Sequence, residues 1–132
     1  MKKVNKIGTI IAFAASMITA TAQMDTEFWF VAPDVTSGHG TDQTIGFMIT
    51  TNVYAANVNI TQPANPGFVP INLSLPANSA QWVSLQSVYA MVENTPENTI
   101  LNYGILIRSD VKITVYYEKR GASNAAIFNL KG

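Results

Sequence analysis

The sequence contains no cysteine. That excludes disulfides, thiolate metal sites and a cysteine nucleophile. Charge is scarce too: 12% of residues are Asp, Glu, Lys or Arg, about half the usual share. Solvation therefore rests on Asn, Thr, Ser and Gln, a surface that suits an extracellular β protein. No basic cluster exists beyond the first few residues, so nothing attracts nucleic acid. There is no G-x-S-x-G elbow and no calcium loop of alternating Asp or Asn ending in Glu. Repeats of fixed period, low-complexity stretches and interdomain linkers are likewise missing. At 132 residues the chain suffices for one domain with a real core, not for two.

The N-terminus has the three parts of an export signal. Lys2, Lys3 and Lys6 form a positive start, and Ile7 to Ile18 is an uncharged, mostly apolar run. Ala20-Thr21-Ala22 is an A-x-A cleavage site, with the cut expected between Ala22 and Gln23. The apolar run falls short of the ~20 residues that span a bilayer, and no later segment reads as a membrane span. A signal peptide over 1–22, helical before removal, and a secreted or cell-surface domain over 23–132 are the expectation. Losing the three lysines leaves acidic residues in excess.

The stretch Asn102 to Glu118, NYGILIRSDVKITVYYE, is the most apolar part of the exported chain. Ile105, Leu106 and Ile107 read as a strand buried on both faces. Ser109-Asp110 reads as a turn, and Lys112 to Tyr117 alternates with Ile113, Val115 and Tyr117 on one face. The expectation is a hairpin around which the other strands pack. Upstream, EFWFVA (27–32), 43–51, 55–62, 69–75 and 79–85 read as strands, and 125–130 as an eighth. Inward positions are Ile45, Phe47 and Ile49, then Ala56, Val58 and Ile60, then Val69, Ile71, Leu73 and Leu75. Pro63 to Gly67, Pro76 to Asn78 and Arg120 to Asn124 are turns. Gln86 to Met91 has helical spacing. Short strands with Pro, Gly and Asn turns predict an all-β protein, an antiparallel β-sandwich of Ig-like or jelly-roll-like type.

Several stretches together resemble the N-terminal module, named after the IgG-Fc-binding protein N-terminal region, of large secreted Bacteroidetes surface proteins of gliding or adhesin type. They are EFWFVAPDVTSGHG (27–40), ITQPANPGF (60–68), ENTPENTILNYGILIRSD (93–110) and ITVYYE (113–118). The resemblance implies a β-rich extracellular module at the head of a long adhesin-like chain. It brings no catalytic residues and does not establish IgG binding. Related modules continue with further strands, so the domain is expected to be incomplete at its C-terminus. An open sheet edge and self-association would follow.

One loop, DVTSGHGTD (34–42), concentrates chemistry. His39, the single histidine, lies between Asp34 and Asp42, a set able to meet a divalent cation. One short loop rarely supplies a full coordination set, so turn-capping aspartates and a solvated His39 are expected instead. Ser37 near His39 lacks the oriented base and oxyanion hole of a hydrolase. Trp29, Trp82, Tyr116 and Tyr117 could form an aromatic platform of the lectin kind, but alternation favours core packing for both tryptophans. Tyr89 and Tyr103, with His39, are the expected exposed ligand surface. Asn59-Ile60-Thr61 and Asn72-Leu73-Ser74 match the N-glycosylation pattern, which means little in a bacterial source. The reading is a non-enzymatic binding or adhesion module for an extracellular protein or glycan, without cofactor. The alternatives are a structural spacer and, further off, a hydrolase or metal-dependent lectin using the 34–42 loop.

Overall fold

The computed structural model describes residues 23–35, 44–121 and 125–132. The expected signal segment through Ala22, the loop residues Ser37, His39 and Asp42, and most of the expected 120–124 turn lie outside them.

The frame is one long strand. β6 (Ile105–Arg120) runs 16 residues without a turn, where the sequence predicted a hairpin. Along one of its edges lie β3 (Ala56–Thr61) and then β2 (Thr44–Thr51). Along the other lie β1 (Asp25–Phe30) and then β7 (Ala126–Asn129). β4 (Ile71–Leu75) pairs outside β3, and β5 (Ala80–Ser84) outside β2. All seven described strands pair antiparallel in one sheet. The sheet curls so that both halves face a common core, a sandwich-like all-β fold with β6 shared between the layers.

The strand continues through Ser109-Asp110 for a physical reason. Register along β6 jumps there: Glu27 pairs with Arg108 but Asp25 with Ile113. On the other edge β3 ends at Ser109 and β2 begins at Ile113. The polar pair thus sits where the strand passes from one half-sheet to the other. The Asp110 carboxylate does bind backbone, as a turn residue would, but it is the neighbouring strand's. It accepts from the Asn57 N–H and from Asn57 Nδ2, both at 2.8 Å.

The core follows the alternation. Ile45, Phe47, Ile49, Ile60, Ile105, Ile107, Ile113 and Val115 are fully enclosed, with Ala56, Val58 and Leu75 nearly so. Phe30, Phe47 and Tyr117 pack edge-on or tilted, with centroids 4.6 to 6.1 Å apart. Each buried aliphatic or aromatic side chain contributes about 1.5–3 kcal/mol, and without disulfides this core holds the domain. Val69 departs from the expected pattern: β4 starts two residues later, and Val69 is exposed. The turns at Pro63 to Gly67 and Pro76 to Asn78 form as read. Phe68 N–H bonds the Asn65 carbonyl, and Asn78 takes φ 52°, the left-handed region that Asn tolerates. Helix α1 (Tyr89–Val92) follows a 3-10 turn, Gln86–Val88, and buries Val92. Buried Gln62 ties this region to the segment leading into β6 through bonds from Nε2 to the carbonyls of Met91 and Tyr103, 2.7 and 3.0 Å. No described helix is long and apolar enough to cross a membrane.

Candidate binding surface

In β1 the sequence EFWF alternates. Phe28 and Phe30 turn into the core, so Glu27 and Trp29 share the outer face. Trp29 is 57% exposed, which corrects the expectation of core packing. Its indole is nonetheless held: Nε1–H donates to Glu27 Oε1 at 3.1 Å. The other Glu27 oxygen accepts from Arg108 Nε at 2.8 Å. The Arg108 bond, and after it the Trp29 bond, holds the Glu27 carboxyl below its usual range. A carboxylate thus fixes an indole and a guanidinium at once.

Register carries this polar face across the sheet. Glu27 pairs with Arg108, Arg108 with Asn59, and Asn59 with Asn72. Asn59 Nδ2 donates to Asn72 Oδ1 at 2.7 Å. One row along, Asp110 holds Asn57, whose Oδ1 accepts from Ser74 Oγ at 2.9 Å. The Asn57 bonds, backbone first, hold the Asp110 carboxyl below its usual range. The result is an outer face of planar amides and ion-paired groups, with one fixed indole at its margin. The two asparagines of the N-x-S/T matches are members of this row.

Trp82 behaves differently. Its ring lies over Gly46, where an added Cβ would come within 2.7 and 2.8 Å of Cζ2 and Cη2 and collide with the Val83 carbonyl oxygen. Arg120 stacks on the ring with Cζ 3.7 Å from the centroid, while Nε and Nη2 both reach Glu118 Oε2 at 2.9 Å. Across strands the row runs Trp82, Met48, Tyr116, Asn129. Trp82 is thus half-buried, and its π-face is occupied. Tyr117 points inward. Burial, with a smaller contribution from the nearby Glu93 charge, pushes its hydroxyl up to about 12. Of the four aromatics of the supposed platform, Tyr117 is in the core, Trp82 and Tyr116 are half-buried in one row, and Trp29 is exposed.

The other predicted site residues are dispersed. Asp34 is exposed, and the remainder of its proposed metal set, His39 and Asp42, lies outside the described residues. Among the described residues no group of three His, Cys, Asp or Glu side chains could hold a metal. Tyr89 is half-buried against the core with its hydroxyl enclosed, and Tyr103 is half-buried; neither is the open aromatic expected. Gln23, at the expected cleavage point, donates from Nε2 to the Gly132 carbonyl at 3.4 Å. Sequence reading missed Glu27, Arg108, Asn59 and Asn72. The signal for the first existed: alternation in β1 places Glu27 and Trp29 opposite Phe28 and Phe30.

No protein-family model matches the chain, and no curated protein matches it. Among solved structures, the crystal structure of Thermotoga maritima 1070 is similar at a TM-score of 0.48 and 13% identity, covering 79% of this chain and 89% of that one.

Proposed function

We propose that this chain is an exported, non-enzymatic binding module whose ligand is a glycan held on the outer face of β1, β6, β3 and β4. The observation that carries the reading is Trp29, an exposed indole fixed by Glu27 beside the Arg108–Asn59–Asn72 row. A sugar ring offers an apolar C–H face and a rim of hydroxyls. The first packs on an indole; the second pairs with amides, which donate and accept, with carboxylates, which accept, and with guanidinium groups, which donate. Preorganised side chains reduce the ordering cost of binding. The export signal in residues 1–22 and the adhesin-like resemblance support an extracellular setting.

The test is a glycan array probed with the wild-type protein and with Trp29→Ala and Arg108→Ala variants. Wild type is expected to bind a subset of glycans, with each variant at least about tenfold weaker, a loss of ~1.4 kcal/mol. Binding that both variants retain in full removes this face from the account. A blank array alongside specific capture of an extracellular matrix protein would replace the glycan with a protein ligand.

A further inference from the structure

We propose that β7 is a pairing edge for a second copy of this chain, joining two sheets through an antiparallel β7–β7 contact centred on Phe128. β7 pairs with β6 alone, so its other edge is open among the described residues. Which groups face that edge follows from one hydrogen bond. Leu130 N–H bonds the Val115 carbonyl at 2.9 Å, and these two residues continue the register of Asn129 with Tyr116. Hydrogen-bonded and non-hydrogen-bonded pairs alternate in an antiparallel ladder. Phe128 and Ala126 therefore direct their backbone groups to β6, and Ile127 and Asn129 direct theirs outward.

Those outward groups are arranged symmetrically about Phe128. A two-fold axis through Phe128, perpendicular to the sheet, sets Ile127 opposite Asn129 of the second copy, and the reverse. Each pair exchanges two backbone bonds, and the pleats match because both residues point to the same face. Phe128 meets its own copy across the axis in the closer, non-hydrogen-bonded position.

The strand's chemistry favours its own copy as occupant. Ala125 to Leu130, AAIFNL, carries no charge, so nothing repels when it meets itself. Lys131 falls opposite Ala125 of the second copy, not opposite another lysine. Ile127 is 60% and Phe128 56% exposed, and Phe128 stacks on Tyr117 with centroids 6.3 Å apart. Pairing would shield both side chains and extend the aromatic cluster. The other free edges carry the protections that edges usually have. β1 has Asp25 and Glu27, β4 is flanked by Pro70 and Pro76, and β5 has its large side chains, Trp82 and Val83, covered. An interface of one short strand falls below about 1,200 Å², so the dimer is weak, with a Kd of roughly 10–100 µM.

Sedimentation of the purified protein across that concentration range is the first test, and a reversible monomer–dimer equilibrium is expected. Asn129→Pro removes an outward N–H without touching a β6 bond and should abolish the dimer while circular dichroism stays native. If that variant misfolds, Ile127→Lys, which places a charge on the edge, serves the same purpose. Because the chain has no cysteine, Phe128→Cys adds a second readout. The Cα separation across the axis, ~4.5 Å, suits a disulfide, so mild oxidation should give a covalent dimer. Val53→Cys, exposed in a distant loop, should not. A protein that stays monomeric, a dimer indifferent to Asn129→Pro and Ile127→Lys, or equal crosslinking of the two cysteine variants each overturns the proposal. A monomer that instead captures strands of other proteins does so too. None of these readouts involves glycan binding, so this inference and the binding face stand or fall separately.

Discussion

The two half-sheets each carry a tryptophan on the outer side, Trp29 in β1 and Trp82 in β5, and the two have opposite fates. Trp82 lies close against Gly46 and under the Arg120 guanidinium. Trp29 stands opposite Leu106 across the strand pair and is tethered at its nitrogen by Glu27. A glycine next to Trp82 permits close packing, whereas Trp29 pairs across the strands with Leu106 and is left exposed. The same residue type therefore serves structure in one half-sheet and remains available to a ligand in the other.

Substitutions that separate these roles differ in size. Gly46→Ala should be the most disruptive, because the new methyl meets backbone, the Val83 carbonyl oxygen, that cannot swing away. Overpacking of this kind costs about 1–3 kcal/mol, and a fall in the urea midpoint of unfolding will show it. Trp82→Ala removes a half-buried ring together with the Arg120 stack. It should cost about 1–2 kcal/mol, towards the middle of the usual range for point substitutions; thermal unfolding at matched pH measures it. In the other half, Asp110→Asn tests the junction of the half-sheets. The Asp110 carboxyl is held below its ordinary range by Asn57. Its contribution to stability is thus present above the usual carboxylate pKa, ~3.9, and fades as pH falls below it. The variant should lose part of the acid-side slope of stability against pH and keep the neutral-to-alkaline slope. Trp29→Ala should change stability least, within about 0.5 kcal/mol, while weakening glycan binding at least about tenfold.

The inward positions of β2 and β3 were legible because strict alternation, as in Ala56, Val58 and Ile60, leaves one solution for a half-wet sheet. The continuity of β6 was not. Ser109-Asp110 has turn chemistry, and local sequence cannot distinguish a reversal from a bend where a strand changes layers. The deciding partner, Asn57, is 53 residues away. Trp29 was misread because its size suggests the core, although its parity within EFWF assigns it outward. Tyr89 and Tyr103 were misread in the other direction, since their burial depends on how the segment around α1 folds back onto the core through Gln62. The Arg108–Asn59–Asn72 row could not be seen at all before strand order and register were known, since three strands supply it.

The account rests most on Trp29 being the surface that meets ligand, and fluorescence reads that residue directly. The chain has two tryptophans, so a Trp82→Phe variant leaves Trp29 as the only indole. Titrating that variant with a glycan that the protein binds should quench the Trp29 emission and shift it to shorter wavelength, saturating with the Kd found by calorimetry on the same variant. A glycan that binds by calorimetry yet leaves the Trp29 emission unchanged would contradict the account.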